Sequence, residues 1–113
     1  MKLQEVVDSL SLVVKTATAN LTKEVTGGYV SDLLSDVMAN TKDGYVWITL
    51  QTHQNIVAVA TLKELSGIIL VNNRAPDADT LKKAEEEGIP IMVSSLPAFE
   101  IAGILYNLGL RCR

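Results

Sequence analysis

The sequence predicts an α/β fold: one three-layer domain with a mainly parallel sheet flanked by helices. Three observations predict it. Residues 67–71 and 88–93 are short runs of branched apolar residues without alternation, the pattern of strands buried on both faces. Each run closes on polar residues, Asn72-Asn73-Arg74 and Ser94-Ser95, and helical patterning follows. The 21 residues from Gly67 to Gly88 fit one strand, one helix and a right-handed return to a parallel neighbour.

Taken in order, residues 3–10 form a helix that leads into a strand at 11–15. The stretch 18–30 is the least regular, and Thr26-Gly27-Gly28 within it marks a tight turn or a close approach of backbone. Ser31-Asp32 caps a short helix with Leu33, Leu34, Val37 and Met38 on one face. Residues 45–50 read as a strand and 54–65 as a helix that is apolar on most sides. Pro76-Asp77-Ala78-Asp79 starts the next helix with an acidic first turn, and Gly88 ends it. The last helix begins at Pro97, carries Phe99, Ile101, Ala102, Leu105, Tyr106 and Leu108, and stops at Gly109. One domain over residues 1–113 accounts for the whole chain, with no linker or low-complexity tract.

Composition excludes several classes. With 48% hydrophobic residues the chain has enough apolar surface to order itself, unlike a disordered segment. No apolar run reaches a membrane span, and residues 1–5 lack the build of a signal peptide. A formal charge of −3 with no basic stripe or aromatic platform argues against nucleic acid as a partner. The single cysteine, Cys112, forms no intramolecular disulfide, which points to a reducing, cytoplasmic compartment.

Glu24-Val25-Thr26-Gly27-Gly28, followed by Tyr29-Val30-Ser31-Asp32-Leu33-Leu34-Ser35-Asp36-Val37-Met38, resembles the DRTGG domain family. Trp47-Ile48-Thr49-Leu50 and Gln54-Asn55-Ile56-Val57-Ala58-Val59-Ala60 are similar to that family too. The likeness runs from about residue 3 to residue 109. Glu24-Val25 stands where Asp-Arg gives the family its name, and Thr26-Gly27-Gly28 is retained. The resemblance implies a domain related to the N-terminal domain of HPr kinase/phosphorylase and to the DRTGG module of CBS-domain pyrophosphatases. In that setting the role is regulatory or dimerising. The phosphate-binding loop of a kinase, G-x-x-x-x-G-K-[ST], is absent: Gly27-Gly28 leads into Tyr29-Val30-Ser31-Asp32 without a lysine. The chain is not expected to be a kinase.

Ligands of parallel α/β sheets bind beyond the carboxyl ends of the strands. Those ends carry Thr52 and His53, Asn72, Asn73 and Arg74, and Ser94 and Ser95, polar groups suited to an anion or a nucleotide. Arg74 supplies a fixed positive charge. Thr26, Gly27 and Gly28 join this tentative set as a loop before a helix N-terminus, where free N–H groups could meet an anion. The plain reading of the same residues is a turn and solvated loop ends. His53, the sole histidine, reads as a ligand contact or general base, and equally as a surface residue at a helix start. Its neighbours supply no further metal ligands. Ser94-Ser95 lacks a nucleophile elbow and reads as a helix cap. No catalytic residue, metal or cofactor is expected.

Two functions follow as expectations. The first is a non-enzymatic regulatory or interaction domain that self-associates, as a homodimer, and serves a metabolic enzyme or a kinase/phosphatase partner. Residues 54–65 and 97–108 carry more apolar side chains than one sheet face needs, which suggests a subunit interface. The alternative is a small-ligand sensor that holds a nucleotide or anion at the loops after the strands.

Overall fold

A computed structural model describes residues 1–112; Arg113 lies outside the described residues. Five strands form one sheet in the order β1-β5-β4-β3-β2. They are β1 (Val13–Val14), β2 (Gly27–Val30), β3 (Tyr45–Thr49), β4 (Gly67–Leu70) and β5 (Ile91–Val93). Strands β2 to β5 are parallel and lie side by side in chain order, and only β1 is antiparallel, at the far edge beside β5. The five helices are α1 (Leu3–Leu10), α2 (Leu34–Asn40), α3 (Asn55–Leu62), α4 (Ala78–Glu87) and α5 (Ala98–Asn107). The α/β architecture with a mainly parallel sheet is as the sequence predicts.

Side chains that alternate along each strand divide the interior into two cores. Tyr45 and Trp47, Ile68 and Leu70, and Ile91 and Val93 face α2, α3 and α4. Val46 and Ile48, Ile69, Val71 and Met92 face α1 and α5. Successive crossovers of one hand place α2, α3 and α4 on one side. After β5 the chain returns to the side that α1 occupies, sending α5 back across the sheet to β2 and β3. Both faces of β3, β4 and β5 are buried, which explains their unbroken apolar runs.

Several local expectations change. Gly27 and Gly28 are not a turn: they open strand β2, and neither has a positive φ. Of the two readings of this pair, close approach applies, and only at Gly27. A Cβ there would lie 2.5 Å from the Arg111 carbonyl oxygen and 2.6 Å from the Tyr45 ring. The true turn glycines are Gly88 and Gly109, with φ of +70° and +105°, each just past a helix, and Gly44 at +83° before β3.

Asp32 does not cap α2. Its Oδ1 accepts from Thr49 Oγ1 (2.8 Å) and from Leu50 N–H (2.7 Å), binding the exit of β2 to the exit of β3. Ser31 Oγ accepts from Leu33 N–H at 3.2 Å. Ser94 does not cap α5 either. Its hydroxyl oxygen accepts from Leu96 N–H at 3.0 Å and shapes the turn before the helix. Most of the apolar excess of residues 54–65 is consumed by packing: Ile56, Val57, Val59, Ala60 and Leu65 are buried, while Ala58 and Leu62 are exposed.

Candidate functional site

The carboxyl ends of β3, β4 and β5 are adjacent because those strands are neighbours, so the three polar loops converge. They converge by bonding to one another. Asn73 N–H donates to Ser94 O (2.7 Å), Asn72 N–H to Leu96 O (3.0 Å) and Asp77 N–H to Thr52 O (3.2 Å). Thr80 Oγ1–H also donates to Thr52 O, at 2.7 Å. Asn72 and Asn73 take left-handed φ values of +54° and +56°, which asparagine tolerates better than most residues. That conformation aims their amides at the β5 exit.

The loops after β4 and β5 leave toward opposite faces, the place where a parallel sheet usually opens a crevice. Here the two backbone bonds close it. What remains is a pit of about 80 Å³ between Val30, Asp32, Thr49, Val71, Asn72 and Ala98, room for roughly two waters. His53, Asn72, Asn73, Arg74 and Ser95 are exposed around this end, Thr52 is half-buried, and Ser94 is buried. Among the described residues no ion pair involves Arg74, and no group of three His, Cys, Asp or Glu side chains could hold a metal.

Thr26, Gly27 and Gly28 do not belong to this cluster. Gly27 pairs with Tyr45 at the amino end of β3, so the length of β3, roughly 16 Å at 3.3 Å per residue, separates them from the polar loops. Thr26 Oγ1–H donates to Asp43 O (2.9 Å) and its N–H to Gly44 O (2.9 Å), which fixes the start of the edge strand. The helix that follows, α2, has only seven residues and begins four residues beyond β2.

A wider concavity lies elsewhere. A cleft of about 530 Å³ opens between β2 and α5, and most of its wall is apolar. Gly28, Val30 and Ile48 form one side, Ala102, Leu105 and Tyr106 the other, and Leu110, Arg111 and Cys112 close one end. The Arg111 guanidinium lies over the Tyr106 ring, 3.6 Å from its centroid. Its Nη1 donates to the carbonyls of Tyr106 (2.8 Å) and Leu110 (2.9 Å), so the group is held in place. Cys112 Sγ–H donates to Gly28 O at 2.8 Å and ties the C-terminal segment to β2. Sequence patterning places Tyr106 on a helix face and leaves Arg111 and Cys112 in a tail. Their meeting with Gly28 depends on α5 crossing back under the sheet, which no local signal encodes.

One polar device flanks the cleft. Tyr29 O–H donates to the Asp36 carboxylate, 3.0 Å from each oxygen, linking β2 to α2. Hydrogen bonds from Ser31, then from Tyr29, hold the Asp36 carboxyl below the usual aspartate range. The same bond to Asp36, helped by burial, raises the Tyr29 phenol.

No protein-family model matches the chain, and no curated protein matches it. Solved structures do. The chain superimposes on the CBS and DRTGG domains of the regulatory region of Clostridium perfringens pyrophosphatase, complexed with its activator diadenosine tetraphosphate. The TM-score is 0.73 at 14% sequence identity, over 92% of this chain and 45% of that one. The fold is DRTGG-like. This chain therefore spans less than half the length of the structure it resembles. At the position where the DRTGG motif carries arginine, Val25 is buried against α1, and its N–H donates to Met1 O at 2.7 Å. Glu24 instead pairs with Lys2 (2.9 Å) and with the amino terminus (3.2 Å), and these bonds hold its carboxyl below the usual range. The first half of the motif here fastens the start of the chain.

Proposed function

We propose that the chain is a non-enzymatic regulatory domain, residues 1–113 forming one unit, that self-associates as a homodimer and serves a metabolic partner. The observation that carries this reading is the outer face of α5. Phe99 is 85% exposed and Tyr106, two turns further on, is 59% exposed. Two large aromatic side chains on one outward stripe are costly to leave in water, while α3 exposes only Ala58 and Leu62 among its apolar residues. A symmetric contact between two α5 helices buries both stripes at once. The likeness to a regulatory region supports the regulatory part of the reading. The partner class is a metabolic enzyme or a kinase/phosphatase, in the cytoplasm.

Native mass spectrometry of wild type and Phe99→Glu tests it. Wild type is expected as a dimer, and Phe99→Glu as a folded monomer. A wild-type monomer at all concentrations rejects self-association, and a turnover lost in His53→Ala rejects the non-enzymatic assignment.

A second reading, a sensor for a nucleotide or anion, rests on the exposed polar groups of Thr52, His53, Asn72, Asn73, Arg74 and Ser95 at one end of the sheet. The resembled regulatory region is complexed with a nucleotide activator, which supports it. Diadenosine tetraphosphate at a hundred times its dissociation constant would stabilise the fold by about 2.7 kcal/mol. An unchanged melting temperature, with Arg74→Ala also neutral, counts against this reading.

A further inference from the structure

We propose that the cleft between β2 and α5 is a binding site for a small planar aromatic anion, separate from the polar strand ends; Tyr106 belongs both to its wall and to the outward stripe of α5. Its volume of about 530 Å³ falls within the range of small-ligand sites, roughly 300–1,000 Å³, and its wall is mostly apolar with one fixed cation.

Two features indicate a site kept open rather than a packing fault. The first is Gly28. Its φ is ordinary, and an added Cβ would meet only Val46, at 3.6 Å and 3.8 Å, which is normal contact. A side chain is therefore allowed there on steric grounds and would project along the cleft wall. Its absence leaves space between β2 and α5 that a valine or leucine would fill. Gly27, one residue away, is a glycine for the opposite reason, since it has no room at all.

The second is Arg111. One face of its guanidinium covers Tyr106, and Nη1 is fixed by two carbonyls. Among the described residues Nη2 and Nε have no partner, and no acidic side chain lines the cleft. A rigid, planar cation pre-stacked on an aromatic ring suits a second planar group on its other face and an acidic substituent at its edge. The aromatic part of the ligand lies against Val30, Ile48 and Leu105, and its carboxylate or phosphate meets Arg111.

Titration of ¹⁵N-labelled protein tests this, with 1-naphthoate as probe, AMP as a phosphate-bearing aromatic anion, and cyclohexanecarboxylate as a non-planar control. Saturable shifts are expected for 1-naphthoate at the amides of Gly28, Tyr29, Ala102, Tyr106 and Arg111. Cyclohexanecarboxylate should bind several-fold more weakly. Arg111→Lys, which keeps the charge but not the plane, should weaken 1-naphthoate roughly three- to tenfold. Gly28→Leu should abolish binding with the fold retained, and Ala102→Phe provides the same block from the helix side. AMP moving the same amides more strongly than 1-naphthoate supports the site and assigns its acid to a phosphate. Shifts outside the cleft, no saturation, or undiminished binding in both filled variants overturns the proposal. If Gly28→Leu alters the solution mass but not the shifts, the cleft is a protomer contact and the proposal also falls.

Discussion

Gly27 and Gly28 are adjacent and chemically identical, yet their surroundings predict opposite responses to the same substitution. Alanine at Gly27 would put its Cβ against the Arg111 carbonyl and the Tyr45 ring, neither of which can give way without moving backbone or a buried side chain. Overpacking of that kind costs about 1–3 kcal/mol. Alanine at Gly28 meets ordinary contacts, and a change within about 0.5 kcal/mol is expected. Paired chemical denaturation of the two variants checks this; equal losses would contradict the placement of the C-terminal segment beside β2. A second residue carries a similar argument. Trp47 is fully buried, and its Nε1–H donates to Ser31 O at 2.8 Å, fixing the exit of β2. Trp47→Phe removes the donor and leaves a carbonyl underbonded, for a loss of about 1–3 kcal/mol by urea titration. The sequence shows that Trp47 is a core residue, because it lies in an unbroken apolar run. It does not show which glycine is crowded, because the crowding comes from Tyr45 on the neighbouring strand and from Arg111, more than eighty positions away.

At the scale of elements, β2 and α2 are joined by the Tyr29–Asp36 bond more than by shared apolar surface, since α2 buries only Val37 completely. Asp36, with its lowered carboxyl, contributes stability above the unfolded-state value near 4, and loses it as pH falls through the lower folded value. Glu24, lowered by Lys2 and the amino terminus, acts in the same direction. Tyr29 runs the other way: its raised phenol contributes stability below about pH 10, and loses it as pH rises through the folded value. Urea midpoints measured against pH should therefore show a flatter acid limb in Asp36→Asn and a flatter alkaline limb in Tyr29→Phe. Parallel profiles for wild type and both variants would contradict the linkage. These elements also mark the limit of sequence reading. Strands β3, β4 and β5 were legible because burial on both faces leaves only apolar residues. Strand β2 was not, because an edge strand of four residues opening on two glycines looks like a turn. For Asp32, residue type suggests a helix cap, while its partners Thr49 and Leu50 come from the neighbouring strand.

For the whole molecule, the decisive feature is the return after β5 to the side that α1 occupies. It completes the core begun by α1, brings α5 over β2 and β3, forms the large cleft, and leaves the stripe of Phe99 and Tyr106 facing outward. The polar strand ends were legible as a group, since each apolar run stops at them. That they close on one another through the amides of Asn72 and Asn73 was not, because it requires left-handed backbone at both positions. The molecule therefore carries its most available apolar surface on α5, at the side of the sheet. Sedimentation velocity over a dilution series tests the central claim, self-association through that helix, most directly. Wild type should pass from dimer to monomer on dilution, and Phe99→Glu should shift that midpoint upward at least about tenfold, equivalent to ~1.4 kcal/mol. A concentration-independent monomer, or a dimer indifferent to Phe99→Glu, would contradict it.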